Sequence, residues 1–379
     1  MTKEWDFKIS SGLKDIIGKE LITNDRIAIF ELIKNSYDAN AKKVTTVFQN
    51  IKEPRKTNPS KILIIDDGDG MSETDLKEKW LFVGYSDKKY FEQELKKDYR
   101  QKIKNNRFFA GAKGVGRFSC DRLGSKLKIY TKKDNESKIH YLEVDWTKFE
   151  EDQKKEFQTI EVHYSTLDKV DIENYQIKEF SKGTILEISS LNDKWDKIKL
   201  LELKKYLQRL INPSSGEEEQ EFKINLEAKE YLEDDKKVKK DEEYNLVNGP
   251  VKNVVFEKLD IKTTQIKSSI SDGKIKTELI DKGKFIFSLE EKNEYPDLDN
   301  ININLFYLSQ AAKNAFTRLM GVEPKNYGSI FLYKNKFRIH PYGDEGDDWL
   351  DLEKRNGQGY ARYLANRELM GRIELNGSQ

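Results

Sequence analysis

The hydrophobic positions of the chain change their spacing repeatedly, which predicts alternating helices and strands in its first half. Residues 23–25, Thr-Asn-Asp, form a helix N-cap cluster, and the helix is predicted to reach about Ala39, with Asn40 as a left-handed stop. The Ser72–Asp75 segment resembles a capping box for a helix to about Phe82. Short apolar runs predict strands, and these runs lie at residues 44–48, 61–65, 127–131, 139–144, 159–162 and 184–189.

A turn-rich run at residues 212–216, which follows a predicted helix at about 196–210, is the best candidate for a domain boundary. We expect a first domain over residues 1–212 and a second over 217–379, with a strand-rich, charged insert at about 220–300. The fold class expected from this alternation is α/β. In the second domain the pattern predicts further elements, namely strands at 285–289, 329–333 and 336–339, helices within 301–315 and 362–369, and an extended segment at 370–375.

Charge and composition exclude several classes of protein. The 379 residues include 68 Lys and Arg against 67 Asp and Glu, so the chain is not a uniformly basic nucleic-acid binder. A single cysteine, Cys120, excludes a disulfide framework. Apolar runs such as Ile62–Ile65 are far shorter than the ~18 residues that cross a bilayer, and the first ten residues lack the apolar segment of a signal peptide. We therefore expect a soluble, cytoplasmic protein that does not bind a membrane.

Three polar residues share one face of the first predicted helix. Glu31, Asn35 and Asp38 are spaced i, i+4 and i+7, which places them above one another. A solvated face is the simpler interpretation. The alternative is a ligand site, because amide and carboxylate oxygens suit Mg²⁺ and a carboxylate can act as a general base for water.

An acidic, glycine-containing loop follows the predicted strand at 61–65. Asp66 ends the strand, and Gly68 and Gly70 let the backbone approach a ligand while the carboxylate accepts a hydrogen bond. A plain turn is the alternative, since Asp and Gly favour turns. The loop does not fit a dinucleotide fingerprint, because Glu73 stands where a third small residue is needed. It also lacks the bidentate glutamate of an EF-hand.

A second glycine-rich loop, Gly111–Gly116, precedes an apparent helix to Leu123. Glycines before a helix N-terminus can form an anion site from free N–H groups and the helix dipole. The loop is not a P-loop, because Arg117 and Phe118 replace the required Lys-Ser/Thr pair. A glycine loop alone does not establish phosphate binding.

Four motifs follow one another within residues of about 20–190, and they read Glu31-Leu-x-x-Asn35-x-x-Asp38-Ala39, Asp66-x-Gly68-x-Gly70-Met71, Gly111-x-x-Gly114-x-Gly116 and Gly183-Thr184-Ile-Leu-Glu-Ile. Their order and spacing resemble the GHKL ATPase superfamily, which includes DNA gyrase, the ninety-kilodalton heat-shock chaperones, histidine kinases and MutL. The resemblance implies a Bergerat-type α/β sandwich that binds ATP and Mg²⁺, followed by an α+β transducer-like domain. No histidine precedes the first motif, which argues against a histidine kinase.

The resemblance implies a role for each matching residue. Glu31 matches the general base that activates the attacking water, and Asn35 matches the Mg²⁺ ligand. Asp66 matches the carboxylate that accepts from the adenine amino group, with Thr184 supporting it, and Asp38 closes the helix motif. The remaining candidates for nucleotide binding lie in the two glycine loops and at the lid entrance, and they are Gly68, Gly70, Met71, Lys88, Gly111, Lys113, Gly114, Val115 and Gly116.

The segment between the second and third motifs corresponds to the ATP lid of the family. Residues 84–113 hold nine Lys and Arg against four Asp and Glu, so this predicted lid is locally basic in a neutral chain. A solvated loop is the simpler interpretation, and contact with nucleic acid is an alternative. The run from Trp80 to Lys88 also resembles the lid entrance of MORC-type ATPases.

The second domain fits a transducer in size and position. Such domains usually bring one cation to the γ-phosphate, and the candidates are Arg338, Lys354 and Arg355. Surface charge is the simpler interpretation of each.

Taken together, the sequence predicts an ATP-hydrolysing switch in which Mg²⁺ and ATP drive lid closure and homodimerisation or clamp formation. A role in bacterial genome defence or a DNA transaction, with nucleic acid or a protein as partner, follows as a further expectation. Two alternatives stay open, namely a nucleotide-gated interaction or DNA-binding scaffold with little turnover, and a chaperone-type ATPase. Glu31 favours turnover, because a protein that only binds ATP has no need of a base.

Overall fold

The computed structural model describes residues 10, 22, 24–55, 57–82, 118–149, 160–172, 175, 180–211, 222–252, 263–334, 337–339, 341–359 and 362–376. The chain forms two compact units. The first comprises Met1–Lys204, Glu221–Lys237 and Val247–Val251, and the second comprises Lys205–Gln220, Val238–Leu246 and Lys252–Gln379. No helix in the described ranges is long and apolar enough to cross a membrane.

The first unit is built on a mixed sheet with the strand order β5-β4-β3-β6-β2-β1-β7-β8. Neighbouring strands are antiparallel except β1 and β7, which run parallel. The strands are Lys43–Gln49 (β1), Lys61–Asp66 (β2), Gly124–Lys132 (β3), Ile139–Asp145 (β4), His163–Leu167 (β5), Gly183–Leu191 (β6), Lys223–Glu227 (β7) and Gly249–Pro250 (β8).

Helices flank this sheet, and the best defined is Asp25–Asp38 (α1). The Asn24 side chain accepts a hydrogen bond from the Ile27 N–H at 3.0 Å and caps the helix, and Asn40 has a left-handed φ of 64° just beyond its end. Arg122 pairs with Asp25 in the first turn of α1 at 2.8 Å. The other helices are Glu73–Asp75 (α2), which continues as a π-helix over Leu76–Trp80, Ser119–Leu123 (α3), Lys197–Leu210 (α4) and Leu232–Asp235 (α5), with 3₁₀ turns at Trp146–Phe149 and Lys229–Tyr231. The residues of α4 from Lys205 onward belong to the second unit.

The α/β layering follows from where the apolar side chains lie. One side of α1 is buried through Ala28, Ile29, Leu32 and Ile33, while Glu31, Asn35 and Asp38 lie on a side that is at least partly exposed. A separate cluster packs on the strands and on a short segment near residue 172, and its buried members are Val47, Leu63, Tyr130, Ile139, Ile172 and Ile185. The mixed sheet with packed helices confirms the predicted α/β sandwich.

The second unit holds another mixed sheet, with the order β11-β10-β9-β12-β15-β13-β14. Its strands are Thr264–Ser271 (β9), Lys274–Asp281 (β10), Lys284–Lys292 (β11), Ile301–Tyr307 (β12), Ile330–Lys334 (β13), Phe337–Arg338 (β14) and Leu369–Leu375 (β15). Helices Gln310–Met320 (α6), Pro324–Tyr327 (α7) and Leu352–Gln358 (α8) accompany it, with 3₁₀ turns at Lys240–Asn245 and Asn366–Glu368. Phe306, Phe316, Tyr327, Phe331 and Tyr333 are among the buried residues of its core.

The structure differs from the sequence-based elements at several places. The segment 301–315, in which a helix was expected, begins as strand β12 and becomes helical only at Gln310. Residues 223–227 were expected in the second domain but form β7, which pairs in parallel with β1 and buries Ile224 and Leu226 in the first unit. The strand expected at 159–162 forms at 163–167 instead. The helix expected at 362–369 is only a 3₁₀ turn, because the Glu368 side chain accepts from the Ala365 N–H at 2.9 Å and β15 begins at the next residue.

Candidate functional site

Asp66 lies at the end of β2, where three hydrogen bonds hold its buried carboxylate. The N–H groups of Gly68 and Thr184 donate to Oδ1 at 2.9 and 3.2 Å, and the Ser36 hydroxyl donates to Oδ2 at 2.9 Å. Burial raises the pKa of Asp66 from 3.8 to about 6, although these hydrogen bonds oppose the rise. A carboxylate offers about four acceptor positions. One position on Oδ2 is therefore left for a ligand donor.

The strand register brings Thr184 to this carboxylate. Asp66 and Thr184 are opposite each other in the antiparallel β2–β6 ladder, and Thr131 is opposite Thr184 on the other side, in β3. The Thr131 and Thr184 hydroxyls lie 3.1 Å apart, and the Met71 N–H donates to the Thr131 hydroxyl at 2.8 Å. Three strands and the loop after β2 are thus joined around one carboxylate.

Two glycines allow the loop after β2 to lie directly against neighbouring backbone. A Cβ at Gly68 would lie 2.8 Å from the Ala39 carbonyl oxygen at the end of α1. Gly70 has a φ of +67°, and a Cβ there would lie 2.0 Å from the Lys132 oxygen. These are tight approaches of backbone to backbone, so the glycines serve the packing of the loop whether or not a ligand is bound.

Helix α1 has one buried polar residue that contacts Asp66 and others that are exposed to solvent. Ser36 is buried and faces Asp66, while Asn35 is exposed and its side chain makes no hydrogen bond with any residue that the structure describes. Glu31 is partly exposed, and its Oε1 accepts from the Lys34 ammonium at 2.9 Å. Lys34 also lies 5.3 Å from the Phe30 ring centroid. The second Glu31 oxygen has no partner within the described ranges.

The fit of Mg²⁺ to this helix rests on its donor set. Asn35 offers an amide oxygen between the carboxylates of Glu31 and Asp38, and hard oxygen ligands are those that Mg²⁺ prefers. Mg²⁺ commonly takes only one or two protein ligands and completes its shell with water and substrate phosphates. These residues therefore fit the metal.

Comparison with known proteins gives a family match for part of the chain. Residues 23–184 match the protein-family model described as "Histidine kinase-, DNA gyrase B-, and HSP90-like ATPase". The match supports the GHKL superfamily for this segment. No curated protein matches the chain. A solved structure described as "Crystal Structure of N terminal domain of a DNA repair protein" aligns with 96% of this chain and 86% of that one, at 14% identity and a TM-score of 0.46.

Residues 23–184, called the GHKL segment from this point, contain most of the predicted site residues. The structure joins Asp66, Gly68 and Thr184 by direct hydrogen bonds and places Glu31, Asn35 and Asp38 on α1. Several other predicted residues lie outside the described ranges, and they are Lys88, Gly111, Lys113, Gly114, Val115 and Gly116.

Two residues of the GHKL segment that contact this site were missed by the sequence reasoning. Ser36 and Thr131 are both buried hydroxyl residues among apolar neighbours. Ser36 could have been found, because a serine on the apolar side of a helix needs a hydrogen-bond partner. Thr131 could not, because its role depends on strand pairing across 53 residues.

The three predicted transducer cations all belong to the second unit. Arg338 is buried, donates to the Tyr342 carbonyl at 3.1 Å and to Asp344 Oδ1 at 2.6 Å, and lies 4.2 Å from the Phe331 ring centroid. Lys354 and Arg355 are exposed on α8. These contacts hold the Arg338 guanidinium within its own unit, and a γ-phosphate contact stays a prediction for each of the three cations.

Proposed function

We propose that the GHKL segment binds ATP with Mg²⁺ and hydrolyses it to ADP and phosphate. The observation that carries this proposal is the Asp66 carboxylate, which is buried, held by three donors and left with one acceptor position on Oδ2. An adenine amino group supplies one donor to that position. A guanine base presents a carbonyl at the corresponding place, and an unpaired buried carboxylate opposite it disfavours binding.

Hydrolysis in this proposal depends on α1. Lys34 holds Glu31 through Oε1, and Oε2 accepts the proton of a water that attacks the γ-phosphorus. Asn35 and the predicted lid loop hold the metal and the phosphates. When bound, Mg²⁺ neutralises charge on the triphosphate. The residues assigned here to nucleotide binding are Asp66, Gly68, Gly70, Met71 and Thr184 together with the lid residues outside the described ranges.

The Glu31–Lys34 ion pair also favours a second candidate. The Lys34 ammonium occupies Oε1 of Glu31 at 2.9 Å, so that oxygen is not open to an attacking water, and a nucleotide-gated scaffold with little turnover fits the same geometry. Phosphate release measured alongside ATP binding separates the two candidates. A scaffold binds ATP but releases no phosphate above the level of Glu31→Gln.

The conformational part of the proposal concerns what ATP does to the chain. We propose that ATP binding drives lid closure and homodimerisation or clamp formation, with Lys354 or Arg355 contacting the γ-phosphate. The local excess of Lys and Arg in 84–113 supports nucleic acid as a partner. A soluble cytoplasmic protein of bacterial genome defence is the setting we propose.

The test of adenine recognition is a calorimetric titration with ATP and with GTP. We expect ATP to bind, GTP to bind far more weakly, and Asp66→Asn to lose ATP binding. The matched control is Asp67→Asn, because the adjacent Asp67 carboxylate accepts from the Lys42 and Lys43 N–H groups at 2.7 and 2.8 Å and an amide oxygen can do the same. Equal affinity for ATP and GTP contradicts the role of Asp66.

A further inference from the structure

The first turn of α1 contains a buried carboxylate that pairs with two cations. The Asp25 side chain is 7% exposed, and its Oδ1 lies 2.8 Å from Nη2 of Arg122. Its other oxygen, Oδ2, pairs with the Lys199 ammonium. Arg122 belongs to α3 and Lys199 to α4, so one carboxylate joins the start of α1 to two other helices. A buried carboxylate needs such partners, because it loses its hydration on folding.

Arg122 is itself fixed by the end of a central strand. Its Nη1 donates to Asp193 Oδ2 at 3.1 Å, so two carboxylates share the guanidinium. The Asn192 side chain donates to the Asp121 carbonyl at 2.7 Å and to the Arg122 carbonyl at 3.1 Å. Asn192 and Asp193 directly follow β6, which pairs with β2 on one side and β3 on the other. The central sheet therefore positions the cation that pairs with Asp25.

Helix α1 is thus attached at both ends. At its other end the Ser36 hydroxyl donates to Asp66 Oδ2 at 2.9 Å. At 1.5 Å per residue, Asp25 and Ser36 are about 16 Å apart along the helix. Glu31 lies between the two attachments, about 7.5 Å from Ser36, whereas Asn35 is adjacent to Ser36. A small rotation of α1 about Ser36 therefore displaces Glu31 more than Asn35.

Apolar packing alone fixes the helix less precisely than these attachments. The residues buried on one side of α1 are Ala28, Ile29, Leu32 and Ile33. Hydrophobic burial is non-directional, whereas an arginine–carboxylate pair has a preferred distance and orientation. The difference matters for catalysis, because misplacing a reacting group by about 1 Å can cost about 100-fold in rate.

We propose that Asp25 and Arg122 are positioning residues for hydrolysis, which hold the N-terminal end of α1 so that Glu31 stays within reach of the attacking water. The inference rests on the proposed function, in which Glu31 is the general base. Both residues act through α1 and not on the nucleotide itself. Loss of the pair leaves the Asp66 end of α1 attached, so nucleotide binding is retained while the chemical step is slowed.

The first test is steady-state phosphate release by the full chain with ATP and Mg²⁺. We expect Arg122→Gln to lower kcat about tenfold or more and to leave KM for ATP and the calorimetric affinity for adenosine unchanged. Arg122→Lys keeps the charge and should recover part of kcat. Arg26→Gln is the matched control, because Arg26 pairs with Glu202 at 3.6 Å in the same turn of α1 but with both side chains exposed. Normal kcat in Arg122→Gln, or a raised KM with kcat unchanged, overturns the proposal.

A double variant separates positioning from stability. Arg122→Gln alone leaves the buried Asp25 with one cation fewer, which also destabilises the fold. Combining it with Asp25→Asn removes both charges and should restore part of the stability in urea unfolding, while kcat stays as low as in Arg122→Gln alone. A double variant that regains kcat together with its stability shows that the pair only stabilises the fold, and this result contradicts the positioning role.

Amide hydrogen exchange of the nucleotide-free chain tests the attachment without any turnover. We expect Arg122→Gln to speed exchange in residues 24–31 and to leave residues 32–38 unchanged, because the Ser36 attachment remains. Unchanged exchange in residues 24–31 overturns the attachment itself. A wild type that releases no phosphate, although exchange changes as expected, instead refutes the proposed function and the positioning role with it.

Discussion

Replacing Asp66 by asparagine should change the stability of the chain and its affinity for ATP in opposite directions, because it removes a buried charge that destabilises the fold but binds the base in the proposed site. Burial raises the pKa of Asp66 from 3.8 to about 6. Because each pKa unit corresponds to about 1.4 kcal/mol, ionising Asp66 destabilises the folded chain by about 3 kcal/mol above pH 6. Asparagine keeps an oxygen for the Gly68 and Thr184 N–H groups, and the Ser36 hydroxyl can accept from its amide. We therefore expect Asp66→Asn to increase the free energy of unfolding by up to about 3 kcal/mol at pH 8.

The stability that Asp66→Asn gains over the wild type should decrease as the pH falls. A carboxyl group with a raised pKa in the folded state contributes stability that is complete below its unfolded pKa and is lost as the pH rises through its folded pKa. The advantage of Asp66→Asn should therefore fall to about half at pH 5 and vanish toward lower pH. Urea unfolding of the nucleotide-free wild type and Asp66→Asn at pH 5 and pH 8 measures this difference in the free energy of unfolding, with Asp67→Asn as control.

The same substitution should remove ATP binding. Asparagine places an amide N–H₂ where Oδ2 of Asp66 accepts, and two donors would then face each other. The variant should thus be more stable and unable to bind. An Asp66→Asn chain that is less stable than the wild type at pH 8, or that binds ATP normally, refutes the reasoning.

Four further predictions concern the same unit. Glu31→Ala should bind ATP with near-normal affinity in calorimetry but lose phosphate release, and normal turnover would falsify the base assignment. Asn35→Ala should weaken ATP binding in the presence of Mg²⁺ and leave binding with a chelator unchanged, so equal losses in both conditions contradict a metal ligand. The affinity of the wild type for ATP should fall about tenfold one pH unit below the pKa of Asp66, because only the ionised carboxylate has both Oδ2 positions as acceptors; a flat profile from pH 5 to 8 speaks against this. Gly183→Ala should destabilise the chain by about 3 kcal/mol or more in thermal unfolding, because Gly183 has a φ of +116° and a Cβ there would lie 2.1 Å from the backbone carbonyl oxygen of Asp66. Gly249→Ala is the control: Gly249 has a φ of +111° but no atom within 4 Å of such a Cβ, so the substitution should cost only the backbone strain.

Much of the site could be predicted from sequence because its signals are local. Glu31, Asn35 and Asp38 share a face by helical spacing alone, and Asp66 ends an apolar run before two glycines. The structure confirms both elements, with α1 beginning after the predicted cap at Asn24 and β2 ending at Asp66. Local periodicity and capping chemistry determine such features, so a single sequence contains them.

Features that depend on long-range pairing could not be predicted. Thr131 reaches the site through strand register, and β7 returns to the first sheet although a turn-rich run separates it from the preceding helix. The helix expected at 362–369 shows the same limit, since β15 pairs with β12 and β13 and takes the chain into a strand from Leu369. Tertiary contacts decide these elements.

The most direct measurement of the central claim is steady-state phosphate release by the full chain with ATP and Mg²⁺. We predict turnover by the wild type and loss of that turnover in Glu31→Gln with ATP binding retained. Turnover should stay normal in Glu78→Gln, in which an exposed glutamate of the same unit serves as a matched control. Equal phosphate release by the wild type and Glu31→Gln would contradict the account.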